Sequence, residues 1–107
     1  MPKEVLTDVL VVGKGAREAA IGLKIKESPL VRKIYFAPGN AGTEKLGENI
    51  PIGAEEINRL AAFAADNEIG LTIVGPEEPL AKGIRDQFDE GGLPLFGVTQ
   101  KASLLEA

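Results

Sequence analysis

Apolar residues in this chain fall into two patterns that alternate along its length. Short runs rich in β-branched residues each stop at glycine or proline: Asp8 to Val12 before Gly13, Lys33 to Ala37 before Pro38-Gly39, Leu71 to Val74 before Gly75-Pro76, and a weaker run from Leu93 to Phe96 before Gly97. Continuous runs of this kind predict strands covered on both faces, as in a parallel sheet. Asn49-Ile50-Pro51-Ile52 predicts a short edge strand, where a proline is tolerated. Between the runs the spacing becomes helical. Ala16, Ala19, Ala20 and Leu23 mark a helix over 16–27, whose small residues allow close approach to a sheet and which Gly22 weakens. Ile57, Leu60, Ala61, Ala64 and Ala65 mark a second helix, ending near Asn67 and Gly70. Leu80, Ile84 and Phe88 mark a third, with Pro79 in its first turn and Gly91-Gly92 at its exit. Thr99 is placed to cap a last short helix through Leu105. Strands alternating with helices predict right-handed βαβ units and one α/β domain built on a parallel sheet of four or five strands.

Composition narrows what such a domain can do. The chain has 107 residues, the size of one domain. Aromatic residues make up only 5%, so Val, Ile, Leu and Ala must fill the core. A formal net charge of −4 argues against nucleic acid as a partner, because no basic patch offsets the phosphates. A single anionic small molecule stays open, since a local loop binds phosphate even in an acidic protein. The absence of cysteine and histidine removes thiolate chemistry, the commonest general base and the commonest metal ligand. The N-terminal Met-Pro-Lys-Glu lacks the apolar stretch of a signal peptide. No apolar run approaches the roughly 20 residues of a membrane span, so a cytoplasmic protein is expected. The last residues, Leu104 to Ala107, fall inside a helical pattern, which leads to the expectation that the chain is part of a longer protein.

In an open parallel sheet, ligands sit beyond the carboxyl ends of the strands, and the unusual residues fall there. Gly13-Lys14-Gly15-Ala16-Arg17-Glu18 follows the first strand. A dinucleotide fingerprint requires G-x-G-x-x-G, but Glu18 takes the third glycine's place, and Phe36, Ala37 and Pro38 stand where a ribose-binding acid is expected. What survives is a tight turn with free N–H groups, suited to one phosphate, with Arg17 as an additional donor; the alternative is a turn that only permits close packing. The second loop, Pro38-Gly39-Asn40-Ala41-Gly42-Thr43, offers an amide between permissive residues, for sugar or amine recognition or merely for its own turn. The third, Gly75-Pro76-Glu77-Glu78-Pro79, offers a carboxylate for two ribose hydroxyls or for the following helix dipole. No Walker A motif occurs.

Taken together and in this order, Val-Val-Gly-Lys-Gly-Ala-Arg-Glu-Ala, Ser-Pro-Leu-Val, Ala-Pro-Gly-Asn-Ala-Gly-Thr and Leu-Thr-Ile-Val-Gly-Pro-Glu-Glu-Pro-Leu resemble the N-terminal part of the glycinamide ribonucleotide synthetase family, within the ATP-grasp superfamily. The resemblance runs from Val9 to Ala107 and is most specific at residues 36–43 and 71–80. It implies a Rossmann-like, pre-ATP-grasp domain of three layers, spanning 1–107, that holds 5-phosphoribosylamine or glycinamide ribonucleotide. The complete enzyme joins glycine to phosphoribosylamine in purine synthesis, using ATP and Mg2+ (or Mn2+) held by later domains that this chain lacks. The resemblance therefore implies no cofactor and no ligase activity here, and the missing ATP-grasp domain as partner. Residue by residue, it implies that Gly13, Gly15, Arg17 and Glu18 shape the first phosphoribosyl loop. Pro38, Gly39, Asn40, Gly42 and Thr43 would shape the second. Gly75, Pro76 and Glu77 would shape the third, with Glu77 on the ribose hydroxyls. The family usually reads Gly-Gly-Arg-Glu-His in the first loop; here Ala16 and Ala19 replace the second glycine and the histidine, and Ala16 disfavours positive φ. Residues 97–99 read Gly-Val-Thr where Gly-Pro-Thr is common. The alternative to a ligase domain is a non-catalytic nucleotide-binding or protein-interaction module.

Overall fold

Four consecutive apolar residues, Val9 to Val12, are 0–2% exposed, which only a strand covered on both faces allows. A computed structural model describes residues 6–98 and places this strand, β1 (Thr7–Gly13), at the centre of a five-stranded parallel sheet. The other strands are β2 (Val31–Pro38), β3 (Glu48–Asn49), β4 (Leu71–Val74) and β5 (Leu95–Gly97), in the order β3-β2-β1-β4-β5. The helices are α1 (Ala16–Ile25), α2 (Ile57–Asp66), α3 (Glu77–Ala81) and α4 (Ile84–Glu90), with a 3-10 turn at Thr43–Lys45. The expected α/β class and parallel sheet are thus both present.

The alternation of side chains along the strands divides the core into two layers. Leu10, Val12, Ala37 and Val74 face α2 and α4, meeting Leu60, Ala64, Ile84 and Phe88. Val9, Val11, Ile34, Phe36 and Ile73 face the other way, where α1 adds Ile21 and Ile25. In α1, Gly22 lies directly over the Phe36 ring; a Cβ there would stand 2.5 Å from Cζ. The glycine that weakens the helix is what lets it sit on the sheet.

Three expected elements differ in detail. The edge strand is Glu48–Asn49 rather than 49–52; Ile50 still donates its N–H to the Phe36 carbonyl at 2.8 Å, and Ile52 is buried just beyond. The last strand begins at Leu95, after Gly91-Gly92 has ended α4. The third helix is two helices, because Gly83 adopts φ +91 and terminates α3 in the left-handed region. Leu80, Ile84 and Phe88 nevertheless pack into one cluster: the stripe reports burial correctly, but it does not report helix continuity. The helix expected from Thr99 lies outside the described residues. Among the described residues, no helix is long and apolar enough to cross a membrane.

Candidate functional site

Parallel register brings the strand ends to one rim. Gly13 pairs with Pro38, Val12 with Val74, and Val74 with Gly97. The chain leaves β1 through α1 on one face, whereas α2 to α4 cover the other, so the strand order reverses between β1 and β4. That is where open α/β sheets hold ligands. A crevice of about 470 Å³ opens there. Its walls are Gly13, Lys14, Gly15 and Glu18 from the first loop, Pro38 from the second, and Pro76, Glu78 and Pro79 from the third. Gly53 to Glu56 complete it. This last segment is absent from the loops expected at the site; its signal in the sequence is Gly53 following the Ile50–Ile52 run, the same punctuation that marks the other loops.

The first loop turns sharply at Gly13, with φ +135. Ala16 is the first residue of α1. The replaced family glycine therefore falls where a helical backbone is required, and alanine suits it. Glu18 is only 5% exposed, and its Oε1 accepts the Gly15 N–H at 2.7 Å, one of the donors that a helix start leaves unpaired. Its carboxylate packs against Gly13 and Gly75 so closely that a Cβ at either position would collide with it. Arg17, in the same turn, donates from Nη1 to the Gly75 carbonyl at 3.0 Å. The adjacent pair thus joins the first loop to the third.

Asn40 organises the second loop. Its Oδ1 accepts the N–H groups of Gly42 (2.7 Å) and Thr43 (3.0 Å), and its Nδ2 donates to the carbonyls of Lys14 (2.8 Å) and Gly15 (3.3 Å). Thr43, fully buried, receives the Asn40 N–H on its hydroxyl and donates to Asn49 Oδ1 at 2.7 Å. Gly39 has φ +76 and is pressed against Asn49 and Thr43. Of the residues expected at the site, Gly13, Gly15, Glu18, Pro38 and Pro76 line the crevice, whereas Arg17, Gly39, Asn40, Gly42, Thr43, Gly75 and Glu77 stand behind or beside it. Glu78, not Glu77, lines the third loop.

Lys14 is the one basic side chain among the described lining residues, against Glu18, Glu55, Glu56 and Glu78. Besides Glu18, which accepts the Gly15 N–H, Glu55 and Glu56 are engaged with neighbours. The Gly53 N–H and then Arg59 hold Glu56 below the usual carboxylate range. Lys82, 2.8 Å away, does the same to Glu55 and is itself held above the usual lysine range. An anionic ligand would meet Lys14 on one side, where the Gly15 N–H is already taken by Glu18; hydroxyls or an amine would meet carboxylates on the other.

Fold and crevice define a parallel α/β domain with an open crevice at the reversal of its strand order. Within that class the chain matches the family described as "Phosphoribosylglycinamide synthetase, N domain" over residues 7–106, and it belongs to that family. It is 54% identical over 101 residues to a protein named phosphoribosylamine–glycine ligase from Yersinia pestis, and 53% identical over 98 residues to one of that name from Caldanaerobacter subterraneus. It is 48% identical over 101 residues to a further one from Pasteurella multocida. Each match covers 92% of this chain and 24% of the relative, so the chain spans about a quarter of the length of these relatives.

Proposed function

We propose that this chain is the N-terminal, phosphoribosylamine-binding domain of a phosphoribosylamine–glycine ligase, the enzyme that joins glycine to 5-phosphoribosylamine in purine synthesis. The observation that carries the reading is the convergence of the three family loops on one crevice at the strand-order reversal. In this reading Lys14 and the first turn of α1 receive the phosphate. A carboxylate of the third loop receives the ribose hydroxyls. Glu77 is the residue expected in that role from the sequence, but Glu78 lines the crevice and becomes the first candidate.

ATP and Mg2+ (or Mn2+) belong, in this proposal, to the ATP-grasp part of the complete enzyme, which would be the partner of this domain. Among the described residues no three His, Cys, Asp or Glu side chains gather as a metal site, and no step through a metal is derived for them. The chain's own contribution is to bind and orient the sugar phosphate; alone it is proposed to be inactive as a ligase. Glu18 disfavours the dinucleotide alternative, because a buried carboxylate stands where the dinucleotide fingerprint places its third glycine, the one that lets helix and strand pack closely.

Titration calorimetry of the chain with glycinamide ribonucleotide tests the proposal, with NADH fluorescence titration as the contrast. Saturable binding of the ribonucleotide, weakened by Glu78→Gln more than by Glu77→Gln, is the expected result. Saturable NADH binding without ribonucleotide binding would overturn it.

A further inference from the structure

The Arg17–Gly75 hydrogen bond joins residues 58 positions apart, linking the first loop to the third beside the crevice. Gly75 is held from both sides: its N–H donates to the Val12 carbonyl at 3.2 Å, and its carbonyl accepts from Arg17 at 3.0 Å. With both ends of the glycine fixed, little freedom remains in the residues that follow. Pro76 is extended (φ −78, ψ 157), with φ locked by its ring, and Glu77 already begins α3. The orientation of the Gly75 carbonyl therefore sets where Glu78 stands. Glu18, from the same turn of α1, packs against Gly75 beside this bond. Arg17 itself is not part of the crevice lining.

We infer that Arg17 is a positioning residue for sugar recognition. It sets the separation between the first loop and the third-loop carboxylate, and it does so through Gly75 rather than by touching phosphate. This rests on the phosphoribosyl reading of the crevice. A planar guanidinium suits the task, because its donors keep a fixed geometry at a carbonyl that an ammonium on a flexible stem does not impose. A ligand that needs only the first loop does not sense the spacing; a ligand that spans both loops does.

Two probes separate the possibilities: inorganic phosphate, which needs the first loop, and ribose 5-phosphate, which needs both. The full 107-residue chain is titrated with each, as wild type, Arg17→Met, Arg17→Lys and Gly75→Ala. Arg17→Met keeps most of the aliphatic stem and removes the donor. It is expected to lower the ratio of ribose 5-phosphate to phosphate affinity about tenfold, the order of one lost charge-assisted hydrogen bond. Arg17→Lys should recover part of that ratio. Gly75→Ala, whose Cβ meets the Glu18 carboxylate, disturbs the same joint without removing a charge and should lower the ratio too. Equal loss for both probes in Arg17→Met would make Arg17 a direct phosphate contact and overturn the inference alone. An unchanged ratio in Arg17→Met would overturn it as well, whatever Gly75→Ala does. A wild-type chain that binds neither probe would overturn the crevice reading and this inference with it.

Discussion

Gly22→Ala sets two magnitudes against each other. In an isolated helix alanine is better than glycine by about 1 kcal/mol, and α1 carries Gly22 in its interior. In the folded chain the added methyl would stand 2.5 Å from Phe36 Cζ and 2.8 Å from Cε1. The Phe36 ring is fully buried and cannot swing away. Relief requires α1 to lift by about 1 Å along its contact with β1 and β2, forfeiting dispersion contacts on both sides. Overpacking of this kind costs about 1–3 kcal/mol, and a clash with two atoms of an immobile ring belongs at the upper end. The net expectation is destabilisation by about 2 kcal/mol once the gain in helix propensity is subtracted. Urea denaturation followed by circular dichroism reads this as a midpoint lower by about 1 M for a slope near 2 kcal/mol/M. Phe36→Leu in the Gly22→Ala background should recover part of the loss, because it removes the ring atoms that clash. A Gly22→Ala midpoint equal to or above wild type would refute the reasoning, since it would mean that helix propensity, not the approach of α1 to Phe36, decides this position.

Asn40→Asp keeps the acceptor that holds the Gly42 and Thr43 N–H groups but deletes both donations to the first loop. It should cost about 1–2 kcal/mol and raise amide exchange at Lys14 to Ala16; unaltered exchange there would show that the two loops are not coupled through Asn40. The crevice wall at 53–56 should respond to acid. The folded-state values of Glu55 and Glu56 are depressed, so their contribution is present above the ordinary carboxylate range and is lost as pH falls through the lowered values. The Gly53 amide should therefore lose exchange protection and shift in NMR spectra over that acid window, and Glu56→Gln should remove the step; a Gly53 amide indifferent to acid would contradict this.

Fold is legible in the sequence because burial on both faces forces a composition. A central parallel strand such as Val9–Val12 has no polar alternation to hide, and each run ends at a glycine or proline that the chain requires at the rim. The break at Gly83 is not legible, because Leu80, Ile84 and Phe88 keep helical spacing whether or not the backbone between them is continuous. The edge strand ends earlier than expected because pairing stops after the Ile50 N–H bond to Phe36, whereas Ile50 and Ile52 keep their apolar character by packing into the core. At the site, the sequence locates the loops but not the division of labour inside them. Asn40 satisfies its own turn at Gly42 and Thr43, the local alternative read from the sequence, but its Nδ2 and the Arg17 guanidinium donate to carbonyls 25 or more residues away that only tertiary structure brings near. Glu77 and Glu78 are adjacent and chemically identical; only the helix phase at the start of α3 separates the one that lines the crevice from the one that does not.

The strand order carries a consequence of its own. Because the connection leaving β1 departs on one face and the one leaving β4 on the other, no peptide has to arch over the gap between them. The opening is a product of wiring: it persists whatever side chains decorate the turns, and it closes only when one is long enough to reach across. Evolution of such a domain can therefore exchange the ligand without relocating it, rewriting a few turn positions while the address stays where the connectivity left it.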